Sequence, residues 1–350
     1  MEHKKRNTEA IHQQLLKAIY QGDGTIPVKE ISEMFNVSSA ALYKQLAKLE
    51  QNDMIHTEKD GRTKRYSLVN TLSFDQTYPI LGLSEDTILR RDMTGLLKDV
   101  TATVRSVFSY VFTEMLNNAI EHSESKTVTI HGYRNAYAIG CFITDTGVGI
   151  FSKIQRAMGL EEKRFAILEL AKGKFTTDPG SHTGEGVFFS SKVADRFYIF
   201  SDSLAFIGNN RAGDTDPILM DKLGEAQQHG TRVCFEVTLD RTVSVADIIN
   251  RYTDAPDDYG FSKTNVPVHL LEYREENPIF VSRSQAKRLL VRFERFTNIV
   301  LDFTDVMEIG QGFADEIFRV FPSQHPDTKI TYTNATPLVE SMIKRAQSVR

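Results

Sequence analysis

The chain has little cysteine, no long apolar run and almost no charge imbalance. Only Cys141 and Cys234 occur among its 350 residues, each in an apolar, strand-like stretch. That setting points to buried free thiols and away from a disulfide or a metal pair. No stretch approaches the roughly 18–20 apolar residues needed to span a bilayer. The polar, charged start Met1–Arg6 is not followed by an apolar core of signal-peptide type. A cytoplasmic protein without membrane contact is therefore the expectation. A formal charge of -4 and a pI near 6.2 argue against a protein that coats nucleic acid along its whole length. No internal repeat or low-complexity segment is present to build a solenoid. The length exceeds one ordinary core, so roughly two or three domains are expected.

The most informative segment runs Glu114-Met115-Leu116-Asn117-Asn118-Ala119-Ile120-Glu121-His122. Val104, Val107, Phe108, Val111, Phe112, Met115, Leu116 and Ala119 recur at spacings of three and four, which predicts a helix with one apolar stripe. Glu114, Asn118 and His122 then project along one side of it. A carboxylate and an amide one turn apart can position a water and give one oxygen to a magnesium ion. That metal usually takes one or two protein ligands and leaves the rest to phosphates and water. Further on, a strand-like run from Ala138 to Thr144 ends in Asp145-Thr146-Gly147-Val148-Gly149. A carboxylate at a strand end, followed by glycines where backbone must approach a ligand, suits a purine whose exocyclic amine needs an acceptor.

Two more pieces follow in order. Lys172 to Gly186 is punctuated by Gly173, Gly180, Gly184 and Gly186, and it ends in Thr183-Gly184-Glu185-Gly186-Val187 before a helical run through Val193. Glycine-rich backbone at a helix N-terminus offers free amides and a positive dipole end to phosphate. His229-Gly230-Thr231 then opens the alternating strand Val233, Phe235, Val237, Leu239. With all four pieces in order, the region from about Thr94 to Leu239 resembles the ATP-binding fold shared by gyrase, the ninety-kilodalton chaperone, histidine kinases and the mismatch-repair ATPases, the GHKL superfamily. The form Glu-x-x-x-Asn-Ala-x-x-His is most similar to the anti-sigma-factor serine kinases within it.

The resemblance implies bound ATP and Mg2+. It makes Asn118 the magnesium ligand and Glu114 the catalytic, base-like residue that orients the attacking water or hydroxyl. Asp145 would accept from the adenine amine, with Gly147 and Gly149 shaping the purine pocket. Thr183, Gly184 and Gly186 would belong to the phosphate loop, and Thr231 would sit beside the adenine. His122 reads as a structural helix-face histidine before a phosphoacceptor. The loop departs from the family in reading Gly-Glu-Gly where a fuller glycine run is usual. Lys172 and Lys174 suit solvent as well as they suit phosphate.

Residues 1–70 form a separate pattern. Ile11, Leu15, Leu16 and Ile19 mark one helix, Val28 to Phe35 a second, and Ser39 to Gln51 a third with Leu42, Leu46 and Leu49 inward. Two short strands, 54–58 and 64–68, flank a turn with Asp60-Gly61 at its tip. The pattern resembles the winged-helix DNA-binding domains of bacterial transcriptional regulators. The outer face of the third helix offers Ser39, Tyr43, Lys44 and Lys48 to a major groove. The wing adds Lys59, Arg62, Lys64 and Arg65 for phosphates. Eleven Lys and Arg stand against nine Asp and Glu through Asn70, so the unit is only weakly basic.

Thr71 to Thr103, with Pro79, Gly82 and Ser84-Glu85-Asp86, reads as a linker with a helix start. It is too short for the dimerisation helices of a sensor kinase. Asp254 to Gly260 is a second linker by composition. Strands and helices then alternate: strand 278–282, helix 284–296, strand 298–303, helix 313–321, strand 329–332 and helix 336–346, a small α/β layer. Ile299 to Val306 followed by Gly310-Gln311-Gly312 resembles a STAS domain, the fold of anti-sigma-factor antagonists. The serine that the family phosphorylates at the helix start is missing here.

The expected chain is thus multidomain. It joins a winged helix (α+β) at 1–70, a linker with a helix at 71–103, a GHKL ATPase α/β sandwich at 104–253 and a small STAS-like α/β domain at 254–350. The expected function is an ATP-binding regulator that binds double-stranded DNA as a homodimer and is switched by Mg-ATP, with a regulatory protein as a further partner. Two enzymatic alternatives stand beside it: a serine/threonine protein kinase of anti-sigma-factor type, and a slow GHKL ATPase driving a clamp.

Overall fold

The computed structural model describes residues 2–61, 63–175, 184–209, 215–220, 228–253, 261–271 and 279–348, with backbone alone for 2–6, 209, 215–220, 228 and 279. The chain opens with three helices, α1 (Glu2–Gln21), α2 (Val28–Phe35) and α3 (Ser39–Gln51), and a hairpin of β1 (Ile55–Asp60) and β2 (Thr63–Leu68). Asn36 ends α2 in a left-handed conformation, φ 50°, which Asn tolerates better than most residues. Two residues later Ser38 caps α3 by accepting from the amide of Ala41. Leu15, Leu16, Ile31, Leu42, Leu46 and Leu49 meet in the core of this unit.

Only residues 69–71 separate β2 from β3 (Leu72–Pro79), and β3 is already part of the central sheet. It pairs along its whole length with β4, from Leu72 opposite Arg134 to Pro79 opposite Thr127. The stretch read as a linker therefore carries an edge strand. It was illegible because only Tyr78 of the strand is buried, so no apolar alternation marks it. The helix start is real: α4 (Glu85–Asp92) packs on α5 (Ala102–His122), and Ile88, Met93, Leu96 and Leu97 join the main core.

After β4 (Thr127–Arg134) and β5 (Ala138–Asp145) come α6 (Ile150–Met158), α7 (Phe165–Lys172) and α8 (Gly186–Val193). Strands β6 (Arg196–Asp202), β7 (Leu204–Asn209), β8 (Thr215–Met220) and β9 (Gln228–Thr238) follow, then the short α9 (Val245–Ile249). The seven-stranded sheet runs β3-β4-β5-β9-β6-β7-β8, and its neighbours pair antiparallel. Helix α5 lies against β5 and β9, with α8 beside it. Cys141 stands opposite Phe235 and Cys234 opposite Phe142, so the two thiols point to opposite faces of the sheet and stay free.

The last part holds β10 (Lys263–Pro267), β11 (Ile279–Phe280), α10 (Arg283–Leu290), β12 (Asn298–Asp302) and β13 (Glu308–Ile309). It continues with α11 (Gln311–Asp315), a π-turn at Glu316–Val320, α12 (Phe321–Gln324), β14 (Lys329–Thr333) and α13 (Pro337–Ser348). Strands β10, β12 and β14 form a parallel sheet in that order, and β11 pairs parallel with β13. The helix expected over 284–296 breaks early. It ends at Leu290, Arg292 takes φ 67°, and Phe293–Arg295 is a 3-10 turn.

The three units share cores. The tip of the β4–β5 hairpin enters the N-terminal unit, where Tyr137 is 1% exposed and its ring lies 5.1 Å from that of Tyr20. Arg196 on β6 stacks over the Tyr20 ring at 3.9 Å and donates to the Tyr20 carbonyl. At the other junction α7 packs against β10. Among the described residues no helix is long and apolar enough to cross a membrane.

Candidate functional site

Helix α5 positions the first two candidate side chains, Glu114 and Asn118. Thr101 starts it by accepting from the amide of Val104 at 3.2 Å, and all eight apolar side chains of the expected stripe are buried. Burying each contributes roughly 1.5–3 kcal/mol for the larger ones, which fixes the helix rotation. Glu114, Asn118 and His122 consequently line one cavity of about 330 Å³. Asp145, Gly149, Gly184, Gly186 and Thr231 line the same cavity. That volume lies within the range of roughly 300–1,000 Å³ found for small-molecule sites.

At one end, β5 delivers Asp145, which is 4% exposed. Its Oδ1 accepts from the amides of Gly147, at 2.9 Å, and Thr231, at 3.2 Å. Among the described residues no protein donor reaches Oδ2, so that oxygen can accept from a ligand. Burial pushes the carboxyl above its ordinary range, and the two amides oppose that shift. Thr231 is held in turn, since its Oγ1 accepts from the amide of Ile150 at 3.0 Å. Gly147 does not line the cavity. A Cβ there would collide with the Ser123 carbonyl, so this glycine lets the turn after β5 press on the end of α5.

At the other end stand Glu114 and Asn118. The Asn118 amide has no hydrogen-bond partner among the described residues, leaving its oxygen for a cation and its nitrogen for an acceptor. Glu114 lies against Gly186, where a Cβ would collide with Glu114 Oε2. Burial raises the Tyr110 hydroxyl beyond its usual value, and the nearby Glu114 and Glu185 carboxylates add to the shift. Two carboxyl side chains thus stand near the start of α8. Among the described residues no group of three or more His, Cys, Asp and Glu side chains is placed to hold a metal. A divalent ion here fits only if phosphate and water complete its shell, as magnesium commonly requires.

Sequence reading missed Lys153, Phe175 and Glu185, which also line the cavity. Lys153 Nζ donates to the His122 carbonyl at 2.7 Å and so ties α6 to the last turn of α5. Phe175 carried a usable signal, an isolated aromatic in an otherwise polar loop. Thr183 lies outside the described residues.

The N-terminal face is built separately. Ser39, Tyr43, Lys44 and Lys48 are exposed on α3, and Lys59 and Lys64 are exposed on the hairpin. Arg65 is engaged within the protein. Its guanidinium pairs with Asp60 at 2.8 Å and Asp23 at 3.2 Å, bracing the hairpin against the α1–α2 loop. Arg62 lies outside the described residues.

Comparison with known families matches two parts of the chain. Residues 9–56 match the winged helix-turn-helix DNA-binding family, and residues 285–340 match a STAS-like domain of unknown function. No curated protein matches the chain. The molecule is therefore multidomain, with an N-terminal winged helix-turn-helix, a mixed α/β centre and a C-terminal STAS-like domain. The winged helix-turn-helix points to DNA binding or transcription regulation. Neither match reaches the central sheet or its cavity.

Proposed function

We propose that the chain is a DNA-binding transcriptional regulator whose central cavity holds Mg-ATP in a GHKL-type fold. The observation that carries this reading is the polarity of the cavity: a buried carboxylate at one end with one oxygen that no described residue engages, and at the other an amide without a partner among the described residues, beside a glycine-rich helix start. Asp145 would accept from the adenine amine next to Thr231, with Gly149 in the cavity wall. Asn118 would give one oxygen to magnesium, and the backbone at Gly184 and Gly186 would face the phosphates. ATP supplies a transferable phosphoryl group when bound. Glu114, beside Gly186, would hold a water or hydroxyl in the second reading, slow hydrolysis or transfer to a serine or threonine of a partner protein. A homodimer would set two recognition helices on paired half-sites of double-stranded DNA.

Calorimetric titration with a non-hydrolysable ATP analogue and magnesium tests the reading. Saturable binding is expected, weakened about 100-fold in Asp145→Asn, the loss of roughly 3 kcal/mol for an unsatisfied buried contact. Glu114→Gln should bind as wild type, and any phosphate release should drop by about 100-fold or more. Absent binding, or binding indifferent to Asp145→Asn, overturns the assignment. Band shifts with and without the analogue then read whether nucleotide alters DNA affinity.

A further inference from the structure

The carbonyls of Lys172, Gly173 and Lys174, three in succession, each accept from a side chain of the C-terminal unit. Thr264 Oγ1 donates to Lys172 O at 2.8 Å, Arg292 Nη2 to Gly173 O at 2.7 Å, and Arg295 Nη1 to Lys174 O at 3.3 Å. Bonds also run the other way. Lys172 Nζ donates to Val291 O at 3.1 Å and Lys174 Nζ to Arg295 O at 2.8 Å. Between them sits Glu169, which accepts from Lys172 at 2.6 Å through Oε1 and from Arg292 at 3.0 Å through Oε2. Lys172 is wholly buried, Glu169 is 2% exposed and Arg292 9%. Buried charges persist only when paired and hydrogen-bonded, as these groups are. Arg292 also keeps a left-handed backbone, φ 67°, a costly conformation for a non-glycine residue that a surrounding network must enforce. It explains why the expected helix breaks at this point.

The junction leads straight into the cavity. The Arg292 guanidinium lies over the Phe175 ring, 5.5 Å from its centroid, and Phe175 lines the cavity. Gly184 rests on Phe175 in turn: its φ is 73°, and a Cβ there would collide with the Phe175 backbone. A continuous chain of contacts thus runs from the loop 291–295 through Phe175 to the glycines beside Glu114.

We propose that Arg292 is a positioning residue for the glycine backbone at 184–186, and that docking of the C-terminal unit and occupancy of the central cavity are coupled through it. The proposal rests on the nucleotide reading of that cavity. Coupling of this kind is reciprocal: what shifts loop 291–295 changes the affinity for nucleotide, and nucleotide steadies the loop by the same factor. The STAS-like unit then acts as an input to the centre without any phosphorylated serine.

The full-length protein tests this with Arg292→Met, which leaves the Lys172–Glu169 pair intact, and Arg292→Lys, which keeps the charge but loses the two-pronged geometry. Amide exchange at Gly184–Val187 without nucleotide should quicken about tenfold in Arg292→Met and less in Arg292→Lys, within the 5–150-fold span of ordinary coupling. Affinity for the non-hydrolysable ATP analogue should fall by a similar factor. The analogue should slow exchange at 291–295 in wild type and not in Arg292→Met. Unchanged exchange at Gly184–Val187 in a folded Arg292→Met overturns the proposal, and that readout needs no nucleotide. If wild type binds no analogue while the glycines still loosen, the nucleotide reading fails and the positioning role stands. Should Arg292→Met not fold, Thr264→Val removes one bond of the junction and is read by the same exchange.

Discussion

The amide of Thr231 donates to Asp145 Oδ1 at 3.2 Å, so one bond ties the start of β9 to the end of β5 on the wall of the cavity. Two strands that are adjacent in the sheet but far apart in sequence thereby fix a single carboxylate.

That carboxylate predicts opposing pH dependences. Burial raises its folded-state pKa above the ordinary 3.8. Stability from this group is fully present below the unfolded value and is lost as pH rises through the folded one. Under the proposed nucleotide reading, affinity would run the other way, because protonation fills the oxygen that would accept from adenine. As pH falls from about 7 toward the ordinary carboxylate range near 4, thermal stability should gain from Asp145 while analogue affinity declines. Asp145→Asn should remove both contributions. Melting curves and titrations across this range decide it, and wild-type affinity that is flat with pH counts against the role given to Asp145.

For the N-terminal face, Lys44→Ala and Lys48→Ala should each lower the slope of log affinity against log salt by about one if each lysine meets a phosphate. Arg65→Ala should leave the slope nearly unchanged, since Asp23 and Asp60 already engage that guanidinium. Equal slopes for all three variants would show that α3 does not face the duplex.

Tyr137 reports on the shared core. Its ring is buried beside Tyr20, and its hydroxyl donates to Asp240 Oδ2 at 2.8 Å. Tyr137→Ala should cost about 3 kcal/mol, the lower range for deleting a buried aromatic. Tyr137→Phe should cost about 1 kcal/mol, the worth of a typical hydrogen bond. Urea unfolding followed by a probe in the first 68 residues separates the two. A change absent from that probe would mean the hairpin tip does not support the N-terminal unit.

Much of this arrangement was legible because local periodicity encodes it. The apolar stripe on α5 set the rotation of Glu114 and Asn118, and the helical runs ending at Phe35 and starting at Ser39 matched α2 and α3. What escaped was fixed by distant partners. Strand β3 is an exposed edge with little apolar alternation, recognisable only through its pairing with β4. Arg292 lay inside a run that reads as helix, and its bonds to Glu169 and Gly173 hold it out of that conformation. The pairing of Arg65 with Asp23, 42 positions away, had no local signal either.

The passage from β2 to β3 spans only residues 69–71, and it is itself pinned: the amide of Val69 donates to Met54 O at 3.1 Å and that of Thr71 to Arg134 O at 2.8 Å. Three residues reach at most about 10 Å even when extended. Helix α3 therefore has no tether on this side on which to swing. It is aimed by the body that carries it, as a key is by its bow, and turning it relative to the cavity means breaking the Tyr20–Arg196 contact. If two copies bind paired half-sites as proposed, residues 69–71 supply no slack to accommodate their phasing.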